Sequence, residues 1–231
     1  MLKENIHLDG LVLHSPEPKL ELSHFFYQLL LGTPFTLEQH GSSPLHYSCQ
    51  LGDKVLELYP SSVAMPSSCA LIFSAPDVGA VVKRMKGHNL KPKAEHNDGK
   101  AVTFEDPEGR NVRLRASEKT DAEVRLHEII LHTKSLSEAS LFYQQLLGVP
   151  FGKNSYGAGQ IQFYAATKDN LVLKLWPDTV YVAPSPSLLL SCSDLDQVRS
   201  QISGYDGWKK LSDTEARLIG PDKRKIFLSQ K

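Results

Sequence analysis

One stretch of eleven residues occurs twice in this chain of 231 residues. It reads FFYQLLLGTPF at Phe25–Phe35 and LFYQQLLGVPF at Leu141–Phe151, with eight of the eleven positions identical and an offset of 116 residues. In each copy the apolar residues recur with the 3.6-residue period of a helix, and Gly32 or Gly148 followed by a proline predicts the helix end. A repeat at half the chain length indicates one design used twice.

The residues around each copy predict a recurring unit of one strand, one helix and three strands. Alternation of apolar and polar residues predicts the strands, and Asp77, Ser135 with Glu138, and Asp194 with Gln197 are typical helix N-caps. A helix is predicted from Val78 to about Lys86, ended by Gly87. The strands predicted are Ile6–His14, Phe35–Glu38, Leu45–Leu51, Val55–Tyr59, Ala70–Ser74, Lys93–Glu95, Ala101–Glu105, Asn111–Arg115, Arg125–His132, Gly159–Ala166, Leu171–Trp176 and Lys225–Ser229.

Four units of about 55 residues fill the chain, and a charged segment separates the second unit from the third. Ser117–Glu123 has no large apolar residue, which is typical of a linker. The sequence therefore predicts a first domain at 1–117, a linker at 118–124 and a second domain at 125–231. Two further linkers are predicted at Ser61–Ser68 and Pro177–Ser187.

Composition restricts the partners of this protein. The formal net charge is zero and the pI is about 7.1, so neither nucleic acid nor a membrane surface is an expected partner. No apolar run approaches the length of a membrane-spanning helix, and the first residues lack the apolar core of a secretory signal. The cysteines, Cys49, Cys69 and Cys192, are three and lack metal-site spacing, so we expect inert buried thiols in a soluble, cytoplasmic protein.

These motifs resemble the vicinal oxygen chelate superfamily, which includes glyoxalase I, bleomycin-resistance and fosfomycin-resistance proteins and extradiol dioxygenases. The resemblance spans essentially the whole chain and is carried by the repeated FY and LG pairs, by Glu57 in VLELY and by the DPEG turn at Asp106–Gly109. It implies an α+β fold of four βαβββ units forming two tandem glyoxalase/bleomycin-resistance-like domains, each with curved sheets facing a cleft.

The resemblance also implies four metal-ligand positions in each domain. In the first domain these fall on Gly10, Glu57, Arg113 and a position within about two residues of Leu71. In the second domain they fall on Glu128, Lys174, Phe227 and a position near Leu188. Each set retains one ligand-capable residue, whereas a divalent site needs three or four donors. We therefore expect no metal and no cofactor, and we predict ion pairs of Glu57 with Arg113 and of Glu128 with Lys174.

The remaining candidates are polar or aromatic residues on the cleft-facing side of the strands. His14 and His132 are either acid–base groups or caps of strand ends. Tyr59 and Trp176 either stack on a flat ligand or close the mouth of a sheet. His46 could join His14 and Glu57 in a non-standard metal site, and the arginines at 113 and 115 with Lys174 either attract an anion or lie at a solvated sheet end. The predicted ligand-binding residues are His14, His46, Glu57, Tyr59, Arg113, Glu128, His132, Lys174 and Trp176.

Two functions are compatible with these residues. The first is a glyoxalase/bleomycin-resistance-like protein that is metal-free and binds a small organic molecule, aromatic or anionic, in a sheet-lined cleft. The alternative is a metal-dependent lyase or isomerase of the glyoxalase type. No catalytic residue is assigned, and because four units in one chain can complete the fold internally, a monomer or a homodimer is expected.

Overall fold

The computed structural model describes residues 5–40, 43–62, 69–96, 99–117, 123–157, 159–178 and 186–231. Four repeats of strand, helix and three strands follow one another, as the sequence predicts. The first comprises β1 (His7–Pro16), α1 (Glu17–Leu31), β2 (Thr36–Glu38), β3 (His46–Leu51) and β4 (Lys54–Ser61), and the second β5 (Cys69–Ala75), α2 (Val78–Gly87), β6 (Ala94–His96), β7 (Ala101–Glu105) and β8 (Asn111–Ala116).

The second half repeats this order. The third unit comprises β9 (Arg125–Thr133), α3 (Leu136–Leu147), β10 (Gly152–Tyr156), β11 (Ile161–Lys168) and β12 (Leu171–Pro177), and the fourth β13 (Ser187–Cys192), α4 (Leu195–Gln201), β14 (Lys209–Lys210), β15 (Glu215–Ile219) and β16 (Lys225–Gln230). The predicted strands do not include β10, β13, β14 or β15. Strands β10 and β14 consist mostly of polar residues, β15 has only two buried positions, and β13 begins at the last residue of the predicted linker Pro177–Ser187.

The helix ends follow from local chemistry. Gly32 and Gly148 both take a left-handed conformation with φ of 70°, which confirms the predicted ends of α1 and α3. The side chains of Asp77, Ser135 and Asp194 accept hydrogen bonds from backbone N–H groups of the first helical turn, as predicted. Helix α1 differs in that it begins at Glu17 directly after β1, with no side-chain cap.

The strands form two mixed sheets of eight strands. One has the order β14-β15-β16-β13-β1-β4-β3-β2, and the other has the order β10-β11-β12-β9-β5-β8-β7-β6. Strand β1 pairs antiparallel with β13, so that Gly10 lies opposite Leu189 and Val12 opposite Ser187. The first βαβββ repeat therefore shares a sheet with the fourth repeat, a pairing that the sequence left open.

The chain divides into two compact units, which we call unit 1 and unit 2. Unit 1 is Met1–Val12 with Ile130–Lys231, and unit 2 is Leu13–Ile129. The predicted domain bounds stay a prediction, and the predicted linkers lie largely outside the described residues. In each unit helices cover one face of the strands, where buried residues such as Phe26, Tyr27, Phe142 and Tyr143 pack. Within the described ranges, no helix is long and apolar enough to cross a membrane.

Candidate functional site

The hairpin strands of the first βαβββ repeat, which lie in unit 2, bring a group of titratable side chains together on the sheet face opposite the apolar core. Glu38 on β2 pairs with His46 on β3, and the His46 ring stacks on Tyr59 of β4. Leu56 and Leu58, which alternate with Glu57 and Tyr59 along β4, are fully buried on the other face. We call this group the histidine cluster; its members are His14, Glu38, His40, His46, Glu57 and Tyr59.

His46 is the most enclosed member of the histidine cluster. Its side chain is 0% exposed, and its ring lies 4.1 Å from the Tyr59 ring at an interplanar angle of 15°. Nδ1 of His46 lies 3.1 Å from the carbonyl oxygen of Pro44, a hydrogen bond that places the ring proton on Nδ1. In the described part of the chain no hydrogen-bond partner reaches the buried Nε2 atom.

His40 and Glu38 complete the group on its outer side. Nε2 of His40 lies 3.2 Å from a carboxylate oxygen of Glu38, and the His40 ring lies 5.1 Å from the His46 ring. The backbone N–H of His40 donates to the Ser43 hydroxyl, and the Ser43 N–H donates back to the His40 carbonyl. These two hydrogen bonds hold the backbone of His40, whose ring is tilted at 50° to that of His46.

Glu57 and Tyr59 titrate abnormally because they are partly withdrawn from water. Burial raises the pKa of the Glu57 carboxyl to about 7; His40 lowers it and Glu38 raises it. Burial also raises the pKa of Tyr59 to about 12, with a further increase from the charge of Glu57. The His14 ring lies 6.3 Å from the Tyr59 ring. Near neutral pH, Glu57 is thus poised between its charged and neutral forms.

The structure therefore gathers four predicted residues, His14, His46, Glu57 and Tyr59, in one cluster. It does not form the predicted metal trio of His14, His46 and Glu57. Among the described residues the donors that converge are instead Glu38, His40 and His46. The sequence prediction missed Glu38 and His40 because the segment after Glu38 was assigned to a turn; the signal was their spacing of two, which continues the alternation of β2 past its end.

A second group of side chains, the aromatic cluster, lies on the corresponding hairpin of the third βαβββ repeat, in unit 1. Its members are Tyr156, Phe163, Lys174 and Trp176. The Phe163 and Trp176 rings stack at 4.9 Å and 24°, and the Tyr156 ring lies 5.9 Å from Trp176. The Lys174 ammonium lies 5.6 Å from the centre of the Phe163 ring, within the range of a cation–π interaction.

The aromatic cluster lies on the face of the strands that is not packed against the core. Leu171, Leu173 and Leu175 are fully buried, and by alternation Lys174 and Trp176 point to the opposite side. Tyr156 is 65% exposed. The prediction that Lys174 and Trp176 share a face is compatible with this arrangement. Tyr156 was missed because β10 was not predicted. Phe163 lies in the predicted strand Gly159–Ala166 and was missed because its contact with Trp176 depends on the register between β11 and β12.

The two clusters occupy equivalent places in the repeat. Glu38 pairs with His46, and Asn154 pairs with Phe163. His46 stacks on Tyr59, and Phe163 stacks on Trp176 in the same relation. Glu57 and Lys174 each precede that last aromatic residue by two positions. One copy has therefore acquired imidazoles and carboxylates where the other has aromatic rings and an ammonium group.

His132 lies in unit 1 beside an acidic residue. Its Nδ1 atom is 3.3 Å from a carboxylate oxygen of Asp178. Burial lowers the pKa of His132, and the positive charge of Arg224 acts in the same direction, whereas Asp178 opposes both. This environment favours the neutral imidazole, so a role as a cap and a role as a proton acceptor both stay open.

Arg113 and Arg115 share a face of β8, as predicted from their spacing. Nη2 of Arg115 donates to Nε2 of His127 at 2.6 Å, so the guanidinium lies against the neighbouring histidine of β9. Arg113 does not pair with Glu57: the two lie in different sheets, and the charges that act on Glu57 are those of His40 and Glu38. That predicted ion pair is wrong. The second predicted pair, Glu128 with Lys174, stays a prediction.

The metal positions implied by the resemblance do not fit a metal. In unit 1, Gly10 of the first predicted set lies opposite Leu189, which lies opposite Phe227 of the second predicted set, so the structure groups these positions differently from the prediction. This row across β1, β13 and β16 carries no oxygen or nitrogen donor in its side chains. In unit 2, Arg113 lies opposite Ile72 and Thr103. The register thus moves the positions expected near Leu188 and Leu71 to Leu189 and Ile72, which are apolar as well.

Comparison with known proteins identifies the fold of this chain. No protein-family model matches the sequence, and no curated protein does. Among solved structures, glyoxalase I from Zea mays superimposes with a TM-score of 0.74 at 16% identity, covering 98% of this chain and 93% of that chain. A putative dioxygenase from Bacillus subtilis subsp. subtilis str. 168 gives a TM-score of 0.70 at 13% identity, covering 99% and 86%.

A third similar structure, the cppA protein from Streptococcus pneumoniae TIGR4, gives a TM-score of 0.54 at 14% identity and covers 98% of each chain. At such identities the likeness concerns the fold and says nothing of the reaction. The predicted α+β fold of four βαβββ units is confirmed. Over 98% of its length, this chain shares the fold of glyoxalase I from Zea mays, which is the fold that the resemblance to the vicinal oxygen chelate superfamily implies.

Proposed function

We propose that this protein binds a small organic anion with a flat aromatic part, and that it does so without a metal at the superfamily's ligand positions. The observation that carries the proposal is the aromatic cluster, where the Phe163 and Trp176 rings stack and the Lys174 ammonium lies over the ring face. A stacked aromatic pair offers a flat apolar surface, and the ammonium beside it offers a charge for a carboxylate or phosphate.

The position of these side chains supports a binding role over a role in folding. They lie on the sheet face opposite the buried leucines of β12, so the rings are not part of the hydrophobic core. Tyr156 stands at the outer side of the stack with most of its surface exposed. Clusters of aromatic side chains with one well-placed polar group are typical of sites for small organic ligands.

The shortage of donors at the metal positions, where only Glu57 and Glu128 are of a ligand-capable type, supports a metal-free mode of binding. A lyase or isomerase of the glyoxalase type would need several oxygen or nitrogen donors at one point. The row of Gly10, Leu189 and Phe227 supplies none from its side chains. The enzyme alternative therefore gains no support from the residues at those positions.

Ligand binding can be measured through the tryptophan that forms the cluster. The chain has two tryptophans, Trp176 and Trp208, so the variant Trp208→Phe isolates the fluorescence of Trp176. We expect 2-naphthoate to quench this fluorescence saturably in protein treated with EDTA. The neutral 2-naphthamide and the non-aromatic cyclohexanecarboxylate should each bind at least about tenfold more weakly, because each lacks one of the two interactions.

Substitutions in the same background assign the binding to the aromatic cluster. Lys174→Gln should weaken 2-naphthoate about tenfold and leave 2-naphthamide unchanged, whereas Trp176→Leu, followed by calorimetry, should weaken both. Phe35→Leu, in the other half of the chain, is the matched control and should bind as the parent protein does. Equal affinity of Lys174→Gln, Trp176→Leu and the parent for 2-naphthoate would contradict the proposal.

A further inference from the structure

Three side chains of the histidine cluster converge on one point. Glu38, His40 and His46 each offer a ligand atom, and these atoms all lie within 4.8 Å of one another. We propose that they form a site for a late first-row divalent metal ion such as Zn²⁺. Two imidazoles and one carboxylate are a donor set suited to this class of ion. The site is separate from the ligand positions of the superfamily, and it does not depend on the proposed function.

The state of His46 is the strongest evidence for a ligand here. Its side chain is fully buried and Nε2 has no hydrogen-bond partner among the described residues. Because Nδ1 faces the Pro44 carbonyl oxygen at 3.1 Å, Nε2 carries the lone pair. Histidines that bind metals typically hold one ring nitrogen in this way and bind through the other. A metal at Nε2 would satisfy a polar atom whose burial is otherwise costly.

The surrounding structure orients the three donors. The His46 ring is held by its stack on Tyr59, Glu38 by the pairing of β2 with β3, and the backbone of His40 by its two hydrogen bonds with Ser43. His40 and Glu38 already lie 3.2 Å apart, between Nε2 and a carboxylate oxygen. Oriented donors bind metal more tightly than mobile ones, because less conformational entropy is lost.

The remaining adjustment is small. Ligands of a tetrahedral Zn²⁺ at about 2.1 Å from the metal lie roughly 3.4 Å from one another. The ligand atoms now lie within 4.8 Å of one another, so each distance must shorten by at most about 1.4 Å. The His40 side chain is 64% exposed and that of Glu38 is 33% exposed, so both can turn inward without disturbing the core. The ion could also retain water as a further ligand, since three protein donors leave a position open.

The other copy of the repeat shows that this donor set is not a by-product of the fold. Asn154 and Phe163 stand where the first copy has Glu38 and His46, and Tyr156 follows Asn154 by two as His40 follows Glu38. Strong metal donors therefore occur in one copy only, on the same scaffold.

Metal binding can be tested on the full-length protein without a histidine tag, freed of metal with EDTA. Zn²⁺ is titrated against a competing chelator, and Co²⁺ is added separately to record the visible absorption of the bound ion. We expect one Zn²⁺ per chain and a Co²⁺ spectrum of low coordination number. Zn²⁺ should also raise the melting temperature, since it binds the folded state.

The decisive variants are His40→Ala and Glu38→Gln, which change side chains outside the core. Each should weaken Zn²⁺ at least tenfold and abolish both the Co²⁺ spectrum and the Zn²⁺-dependent rise in melting temperature. His88→Ala removes an exposed histidine at the end of α2 and should bind Zn²⁺ as the wild type does. Circular dichroism confirms that each variant is folded.

Two results would overturn the metal site: the absence of saturable Zn²⁺ binding at one per chain, or equal affinity in the wild type and in both His40→Ala and Glu38→Gln. Binding of 2-naphthoate should not change in either variant, because the aromatic cluster lies in the other copy of the repeat. The two proposals can therefore fail separately.

Discussion

At the scale of single residues, the pKa of Glu57 makes the stability of the protein depend on pH, and this dependence can be measured. Its pKa is about 7 in the folded protein, against 4.5 for an ordinary glutamate. Between these values the folded chain holds a proton that the unfolded chain has lost, so the stability of the wild type falls as the pH rises through this window and stays reduced above it.

Glu57→Gln removes this titration. The variant should therefore gain stability relative to the wild type as the pH rises from 4 to 8. We expect this gain in unfolding free energy to be about 2 kcal/mol, less than the full pKa shift would give, because water reaches the partly buried side chain. Urea unfolding with EDTA present, at several pH values, measures this shift. A difference that does not change with pH would show that the Glu57 carboxyl titrates normally.

A fully buried ion pair is hydrogen-bonded to the backbone of His14, a member of the histidine cluster. The guanidinium of Arg110 lies 2.8 Å from Asp106, whose carboxylate also accepts from the Tyr27 hydroxyl, and Arg110 donates to the His14 carbonyl. Arg110→Met leaves the Asp106 carboxylate buried without its partner and should cost about 3–5 kcal/mol of stability. In the double variant with Asp106→Asn the loss should be smaller than the sum of the two single losses, as chemical denaturation can measure; additive losses would show that the pair is not coupled.

Individual site residues were predictable where alternation alone decides. The predictions that placed Glu57 with Tyr59 and Lys174 with Trp176 on one face needed only the two-residue period of a strand. The convergence of Glu38 with His46 depends on the register between β2 and β3, which no local pattern specifies. The burial of Arg110 was also not predictable, because a charged residue in a turn is ordinarily solvated.

At the scale of elements, the turn before the last strand recurs in both halves with different sequences. Asp106–Arg110 and Gly220–Arg224 close with equivalent backbone hydrogen bonds, including Gly109 N–H to Asp106 and Lys223 N–H to Gly220. Gly109 and Lys223 occupy the same position in the two turns, and both have a positive φ, of 81° and 58° respectively. A side chain in that conformation is strained, whereas glycine is not.

Lys223→Gly should therefore stabilise the protein by about 0.5–1 kcal/mol, because it relieves this strain. The matched control is Gly109→Ala, which should destabilise it by about 1 kcal/mol; a methyl group there meets no atom within 4 Å, so the effect comes from the backbone alone. Thermal or urea unfolding of both variants gives the two values. A Lys223→Gly variant less stable than the wild type would mean that the lysine side chain outweighs the strain.

Helices and hairpins were predictable because their signals are local. The repeated helix ended at Gly32 and Gly148 as expected, and three caps formed where their side chains occur. Of the four strands that were not predicted, β10 is exposed along its whole length, so no apolar face marks it, and β15 shows only two buried positions. Such strands form because a neighbouring strand pairs with them, which is a tertiary effect.

At the scale of the whole molecule, the repeat predicted four units but not which of them share a sheet. Residues 7–12 of strand β1 pair with strand β13, which lies about 180 residues later in the chain. The apolar pattern of β13 is compatible with any buried neighbour, so the sequence could not select one. This pairing also means that the first strand contributes to unit 1, whose other residues begin at Ile130.

The pairing of β1 with β13 predicts how the chain behaves when its backbone is cut between the two halves. A protease site placed at residues 118–122, in the predicted linker, allows cleavage of the folded full-length protein. We expect the pieces to stay together in size-exclusion chromatography and to separate only in denaturant, because removing β1 would expose the backbone edge and the leucines of β13. Uncut protein carrying the same inserted site is the control for its effect on stability. Two pieces that separate in folded form without denaturant would instead support independent domains at 1–117 and 125–231.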